Sequence, residues 1–277
     1  MNTPTAQTHR IAREGGQIAY TDIGTGPALL LIHGLGDTTR TWRHLTPRLV
    51  SAGYRVLELH VRGNGLSDAT FEAYDAVAIA GDALAVLDAA HVDRATIAGV
   101  SMGGAVAAWM AAEWPERVER MIFLNAFVRD MPSDRWLKPV LGVLFADFWG
   151  AFMWKLYWKT LLPTAPSDLE EEAEWLRQHL RGPGRLKALR AQIQASKQPV
   201  ADRLAEVKVD TLIIMGGADP DYTDPREEGR IQAQLLGGQS TVMVIDKVGH
   251  YPQVEATGAV LEAFASFIPR NGASRAA

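Results

Sequence analysis

The stretch Ala95–Ala112, ATIAGVSMGGAVAAWMAA, most narrowly limits what this chain can fold into. Ala95–Ala98 is an apolar run of buried-strand length, and from Met102 the residues are small and suited to a helix. Between them lies Gly99-Val100-Ser101-Met102-Gly103, a G-x-S-x-G turn. A strand that passes directly into a helix turns so tightly that side chains at the two glycine positions would strike the neighbouring strand or helix. The serine hydroxyl is pushed out at the carboxyl edge of a parallel sheet. Beside it, the helix N-terminus offers unpaired N–H groups and the positive end of the helix dipole, so an anion formed next to Ser101 would be stabilised there.

The alternation of strand and helix continues along the chain. Residues 1–16 are polar and read as a loose arm, and Gln17–Asp22 reads as an edge strand. Ala28–Ile32, Arg55–Leu59, Val118–Leu124, Thr211–Met215 and Thr241–Ile245 are apolar runs of strand length. Helical patterns cover Trp42–Ser51, Tyr74–Ala90, Arg226–Leu236 and Glu255–Ile268. Continuous apolar strands separated by helices predict an α/β fold: a mostly parallel sheet with helices on both faces. The rhythm breaks at Asn125. From Met131 to Val200 there is no strand pattern, yet five of the eight Trp residues lie there: Trp136, Trp149, Trp154, Trp158 and Trp175. Leu137, Leu141, Leu144, Phe148, Phe152 and Leu156 recur at helical spacing. The prediction is a core formed by residues 1–130 and 201–277, with residues 131–200 inserted as a helical cap.

Several function classes are disfavoured by composition. The net charge is −4 without a Lys/Arg run, so nucleic acid is not an expected partner. There is no cysteine, which excludes disulfides and thiolate metal sites. The first residues lack the apolar core of a signal peptide, and no run of about 18 apolar residues occurs. The expectation is a cytoplasmic protein without stable membrane insertion, acting on a small molecule. The oligomeric state is not legible in the sequence.

Five markers follow one another at the carboxyl ends of apolar runs: His33-Gly34, Arg62-Gly63-x-Gly65-x-Ser67, Gly99-x-Ser101-x-Gly103, Gly216-Gly217-Ala218-Asp219 and Gly249-His250. With these in order, the chain resembles the α/β-hydrolases from about Gln17 to Ile268, and the order Ser…Asp…His is that family's order for its triad. The chemistry points the same way. A serine hydroxyl needs a base within hydrogen-bond reach, and histidine has a suitable pKa. His250 fits that role, and a carboxylate must hold its ring. Asp219 lies nearest the end of the Thr211–Met215 run; Asp221 and Asp224 follow in the same Pro-punctuated loop, and Asp224 before Pro225 could cap a helix. The N–H of Met102 is one expected oxyanion donor. The resemblance implies the N–H of Leu35 as the second, with His33 in a structural role.

Two residues depart from the family pattern. His60 stands where an Asp usually precedes the Arg-Gly-x-Gly motif, and Asn64 where His is frequent. Arg62 is therefore expected to lack its usual carboxylate partner. Family members with an Asp nucleophile, the haloalkane dehalogenases and epoxide hydrolases, are disfavoured by Ser101. No cofactor and no metal is expected: the histidines show no H-x-x-x-H spacing and no G-x-G-x-x-G occurs at the turn. The resemblance implies a carboxylesterase-like serine hydrolase acting on esters of apolar acyl or aromatic groups. Lactonase, amidase, C–C bond hydrolase and cofactor-free perhydrolase activities on the same triad remain open alternatives, as does a hydrolase-like receptor with little turnover.

Overall fold

Alternate residues of the central strands enter two separate cores, one on each face of the sheet. Leu30, Ile32, Leu57, Leu59, Ile97, Phe123 and Ile213 pack on one side. Leu29, Leu31, Val56, Ala98, Ile122, Leu124 and Ile214 pack on the other. This two-sided burial is why the strands read as continuous apolar runs. The computed structural model describes residues 6–131 and 134–268, with the side chains of residues 134–137, and so those of Trp136 and Leu137, outside the description.

The strands are β1 (Gln7–Arg13), β2 (Gly16–Ile23), β3 (Ala28–Ile32), β4 (Arg55–His60), β5 (Ala95–Val100), β6 (Val118–Leu124), β7 (Thr211–Gly216) and β8 (Ser240–Ile245). They form one eight-stranded sheet in the order β1-β2-β4-β3-β5-β6-β7-β8. The β1–β2 and β2–β4 pairs are antiparallel, and from β4 to β8 every pair is parallel. The sheet is therefore mostly parallel, as its apolar runs predict.

The first face is covered by α2 (Ala76–Ala89) and α3 (Met102–Glu113), the second by α1 (Thr46–Ser51) and the C-terminal α11 (Thr257–Phe267). Asp75 caps α2 by accepting the Ala78 N–H, which satisfies one of the donors left free at a helix start. Between β6 and β7 come α4 (Asp134–Leu144), α5 (Gly150–Thr160), α6 (Leu169–Leu180), α7 (Arg185–Gln194) and the short α8 (Gln198–Ala201), with no strand among the described residues. After β7, α9 (Pro225–Leu235) precedes β8, and the single turn α10 (Pro252–Glu255) leads into α11.

One expectation is corrected. Residues 7–13 are not a loose arm but the edge strand β1, paired along its length with β2, so β2 is not an edge. The strand is exposed on most of its length and has no apolar face to betray it; backbone pairing and stacking of His9 on Tyr20 hold it. The apolar residues at helical spacing from Leu141 to Leu156 are divided between two helices and the turn between them. The chain breaks between α4 and α5, and Phe148 is 97% exposed in the break.

Candidate active site

Ser101 sits at the junction of β5 and α3 with φ 56° and ψ −123°, a conformation L-residues rarely adopt. The turn is this tight because backbone crowds it from both sides. A Cβ at Gly99 would lie 2.1 Å from the Gly103 carbonyl oxygen, and one at Gly103 would lie 2.2 Å from the Ile32 carbonyl oxygen. The Ser101 N–H donates to the Leu124 carbonyl at 3.0 Å, and the Ser101 carbonyl accepts from Phe127 N–H at 3.0 Å. These bonds fix the serine against the ends of β5 and β6. Met102 opens α3, where the first N–H groups have no partner within the helix.

Asp219 follows β7 and His250 follows β8, so both come to the same carboxyl edge as Ser101. His250 Nδ1 and Asp219 Oδ2 are 2.7 Å apart, and both residues are buried. The other Asp219 oxygen accepts the Asp221 N–H at 2.9 Å, which fixes the plane of the carboxylate. Burial alone would push the His250 imidazole down; the charge and hydrogen bond of Asp219, helped by Asp221 and Asp37, reverse this and hold it up to about 9. Asp221 stands behind, 3.8 Å from His250 Nδ1, and its carboxylate accepts the Tyr157 hydroxyl at 2.8 Å. Asp224 is elsewhere in function: it accepts the N–H groups of Arg226 and Glu227 and caps α9.

Asn125 is a site residue that the motifs do not reveal. It is fully buried, with φ 44°, directly after β6. Its side chain accepts the Gly216 N–H at 2.8 Å and donates to the Gly249 carbonyl at 2.8 Å, tying the loop that carries Asp219 to the loop that carries His250. The signal available in the sequence is an Asn, a residue that tolerates left-handed backbone, where a buried apolar strand stops. Phe127 bridges Ser101 and His250: its backbone binds Ser101 and its ring lies 5.6 Å from the His250 ring.

The loop after β3 carries Leu35. Here His33 Nδ1 is 2.8 Å from the Gly34 carbonyl, and His33 Nε2 accepts the Val61 N–H at 3.1 Å. The second bond requires a lone pair on Nε2, so the proton is on Nδ1. Burial keeps the ring neutral by pushing its pKa down to about 3. Because the peptide is planar, holding the Gly34 C=O also fixes the Leu35 N–H, which points the opposite way.

Arg62 does not lack a carboxylate. Its guanidinium forms a paired fork with Asp82 of α2 at 2.7 and 2.8 Å and donates to the Ala73 carbonyl. The partner comes from 20 residues downstream, on another element. His60 instead accepts the Leu66 N–H and contacts Thr21, holding the loop that follows β4.

A cavity of about 380 Å³ reaches Phe127 and Asp221, the neighbours of His250, and is lined mainly by apolar side chains including Leu35, Leu141, Phe145, Trp154 and Ile193. Tyr157, Asp221, Lys138 and Lys197 supply polar groups in its wall. A second cavity, of about 430 Å³, lies at the α6–α7 turn and is lined by Leu180, Arg181 and Leu186 among others. Asp219, Asp221 and His250 offer potential metal-ligating atoms within 4.8 Å of one another. The short Asp219–His250 hydrogen bond already uses His250 Nδ1, however, which makes that nitrogen a donor to carboxylate. Among the described residues no helix is long and apolar enough to cross a membrane.

A sequence profile for the alpha/beta hydrolase fold matches residues 27–153. Epoxide hydrolase 2 of Siraitia grosvenorii is 32% identical over 142 residues, covering 50% of this chain and 45% of that protein. A hydrolase from Pseudomonas aeruginosa PA01 superimposes with a TM-score of 0.79 and 26% identity, over 94% of this chain and 98% of the other. Est816, described as an N-acyl homoserine lactone degrading enzyme, superimposes with a TM-score of 0.77 and 25% identity, over 94% of this chain and all of the other. The chain has the alpha/beta hydrolase fold, with its mostly parallel sheet. It spans 25% to 45% of the length of curated relatives that it matches.

Proposed function

We propose that this hydrolase cleaves carboxylic esters of apolar acyl or aromatic groups through an acyl-enzyme. The observation that carries the reading is the buried 2.7 Å contact of His250 with Asp219, at the sheet edge where the strained turn presents Ser101. In this reading Ser101 Oγ attacks the ester carbonyl carbon while His250 Nε2, the nitrogen not committed to Asp219, takes the hydroxyl proton. The oxyanion is stabilised by the N–H groups of Leu35 and Met102. The carbon–oxygen bond to the leaving alcohol breaks, and His250 returns the proton to that oxygen. Water then attacks the acyl carbon with His250 again as base, releasing the acid and regenerating Ser101.

The apolar walls of the adjoining cavity support the substrate class. Residues 131–200 serve as a cap over it, because Leu141, Phe145, Trp154, Tyr157 and Ile193 all belong to that segment. Epoxide opening, the activity in the name of the plant relative, is disfavoured by a serine at the turn. Lactone hydrolysis is the second reading, favoured by the likeness to Est816 over the whole of that chain; it uses the same steps with the leaving oxygen tethered to the acyl group.

The test is burst kinetics with p-nitrophenyl esters of graded chain length, alongside N-acyl homoserine lactones, combined with fluorophosphonate labelling. Ser101→Ala is expected to remove labelling and lower kcat on the order of 10⁶-fold with the fold intact. Labelling that survives the substitution overturns the assignment of Ser101, and faster turnover of the lactones than of any ester favours the second reading.

A further inference from the structure

The helical segment between β6 and β7 reaches past the cavity wall and touches the oxyanion loop itself. Gln192, on α7, is 3% exposed. Its Oε1 accepts the Gly36 N–H at 3.2 Å, and its Nε2 donates to the Arg62 carbonyl at 3.2 Å. Only one orientation of the amide serves both partners, since an N–H can only donate and a carbonyl can only accept. The Arg62 end is a rigid anchor, because the fork to Asp82 and the bond to Ala73 hold that residue in the core. The Gly36 end is packed under the same helical segment: at φ 60°, a Cβ there would lie 2.7 Å from both Leu189 and Trp154. Leu35 is therefore held on both sides. His33 of the core fixes the peptide before it, and Gln192 of α7 fixes the peptide after it.

We infer that Gln192 is a positioning residue for the oxyanion hole, which makes the geometry of the Leu35 N–H depend on where α7 sits. The inference rests on the proposed reading of Leu35 as an oxyanion donor. A donor of this kind acts only on the transition state, so misplacing it lowers kcat and leaves ground-state binding nearly unchanged. Gln192 does not touch the reacting atoms; it acts through the Leu35–Gly36 peptide.

The experiment compares wild type with Gln192→Met, which keeps the shape and removes both hydrogen bonds, and with Gln192→Asn, one methylene too short to span both partners. Kinetics use p-nitrophenyl butyrate, normalised to active sites titrated with a fluorophosphonate. Inhibition is measured with an alkyl trifluoromethyl ketone, whose serine adduct carries an oxyanion, and with butyrate product, which does not mimic that adduct. Each variant is expected to lose about 10- to 100-fold in kcat, with KM and butyrate inhibition within about 3-fold. The trifluoromethyl ketone should weaken by the same factor as kcat/KM. If one variant does not fold, the other carries the test. A fall in thermal midpoint with unchanged kcat per titrated site and unchanged ketone affinity overturns the inference, as does a loss confined to KM. Wild-type protein without labelling at Ser101 overturns the proposed function and this inference together. A labelled wild type with indifferent variants overturns the inference alone.

Discussion

Phe123, in β6, and Phe148, between α4 and α5, are aromatic residues 25 positions apart; the first is fully buried and the second is 97% exposed. Around Phe123 the rule is simple. A central parallel strand is covered on both faces, so every apolar residue in it finds a core. Around Phe148 the rule fails. The segment there turns Phe145, Trp154 and Trp158 inward, while Val143, Phe148 and Phe152 face outward. Apolar character therefore predicts burial in the sheet, where the architecture leaves no alternative. In the helical segment it does not, because burial depends on how each helix is rotated against the rest. The chemistry follows the same division: the candidate catalytic groups stand on the sheet edge, and the helical segment supplies most of the residues that line the cavity.

The comparison breaks first, if it breaks, at Asp219. In the proposed reading Asp219→Asn lowers kcat by up to about 10⁴-fold with the fold retained. Asp221→Asn removes a carboxylate 3.8 Å from His250 and is expected to cost about 10-fold. Steady-state kinetics on both variants decide it, and an Asp221 effect equal to or above that of Asp219 would move the orienting role into the cavity wall.

Within the helical segment, Trp154→Ala should cost about 3–5 kcal/mol of stability, because a large buried ring leaves a void. Phe148→Ser should change stability by less than about 0.5 kcal/mol. Denaturant unfolding of the two variants sharpens the contrast between aromatics that differ in burial but not in kind. Equal losses would mean that the exposed stripe is covered in solution.

The pH profile tests the coupling of the sheet-edge groups. With His250 held up to about 9, the acid limb of kcat/KM should have its midpoint well above 6.5, the ordinary histidine value. Asp219→Asn should move that limb down. The sign for stability is fixed as well. Between about 6.5 and 9 the folded state holds a proton that the unfolded state has lost, so His250 contributes stability below 6.5 that disappears as pH rises through 9. Thermal midpoints of wild type should fall over that range more steeply than those of Asp219→Asn.

A small effect is expected at Asp224, which resembles Asp219 in sequence setting but caps α9. Asp224→Ala should cost about 1 kcal/mol and leave kcat unchanged. A large kcat loss there, measured alongside the unfolding midpoint, would blur the line between a structural cap and the site.

Much of this is legible in the chain itself, because much of it is local. The turn at Ser101 needs glycines within two residues of the serine, and each apolar run determines its own strand without reference to distant sequence. That the chain alternates strands and helices, and that Ser101, Asp219 and His250 each follow a strand, are therefore properties that the sequence determines by itself. The tertiary structure decides whatever depends on which distant groups meet. β1 is a strand because β2 is there to pair with it, although its own pattern is polar. Arg62 finds Asp82 across the α2 packing, and Asn125 joins two loops more than 90 residues away from it. Gln192 meets Gly36 across 156 residues. Hydrogen bonds of this kind leave no periodicity in a sequence. A buried amide or carboxylate is costly without partners, and only the packed chain determines which partners arrive.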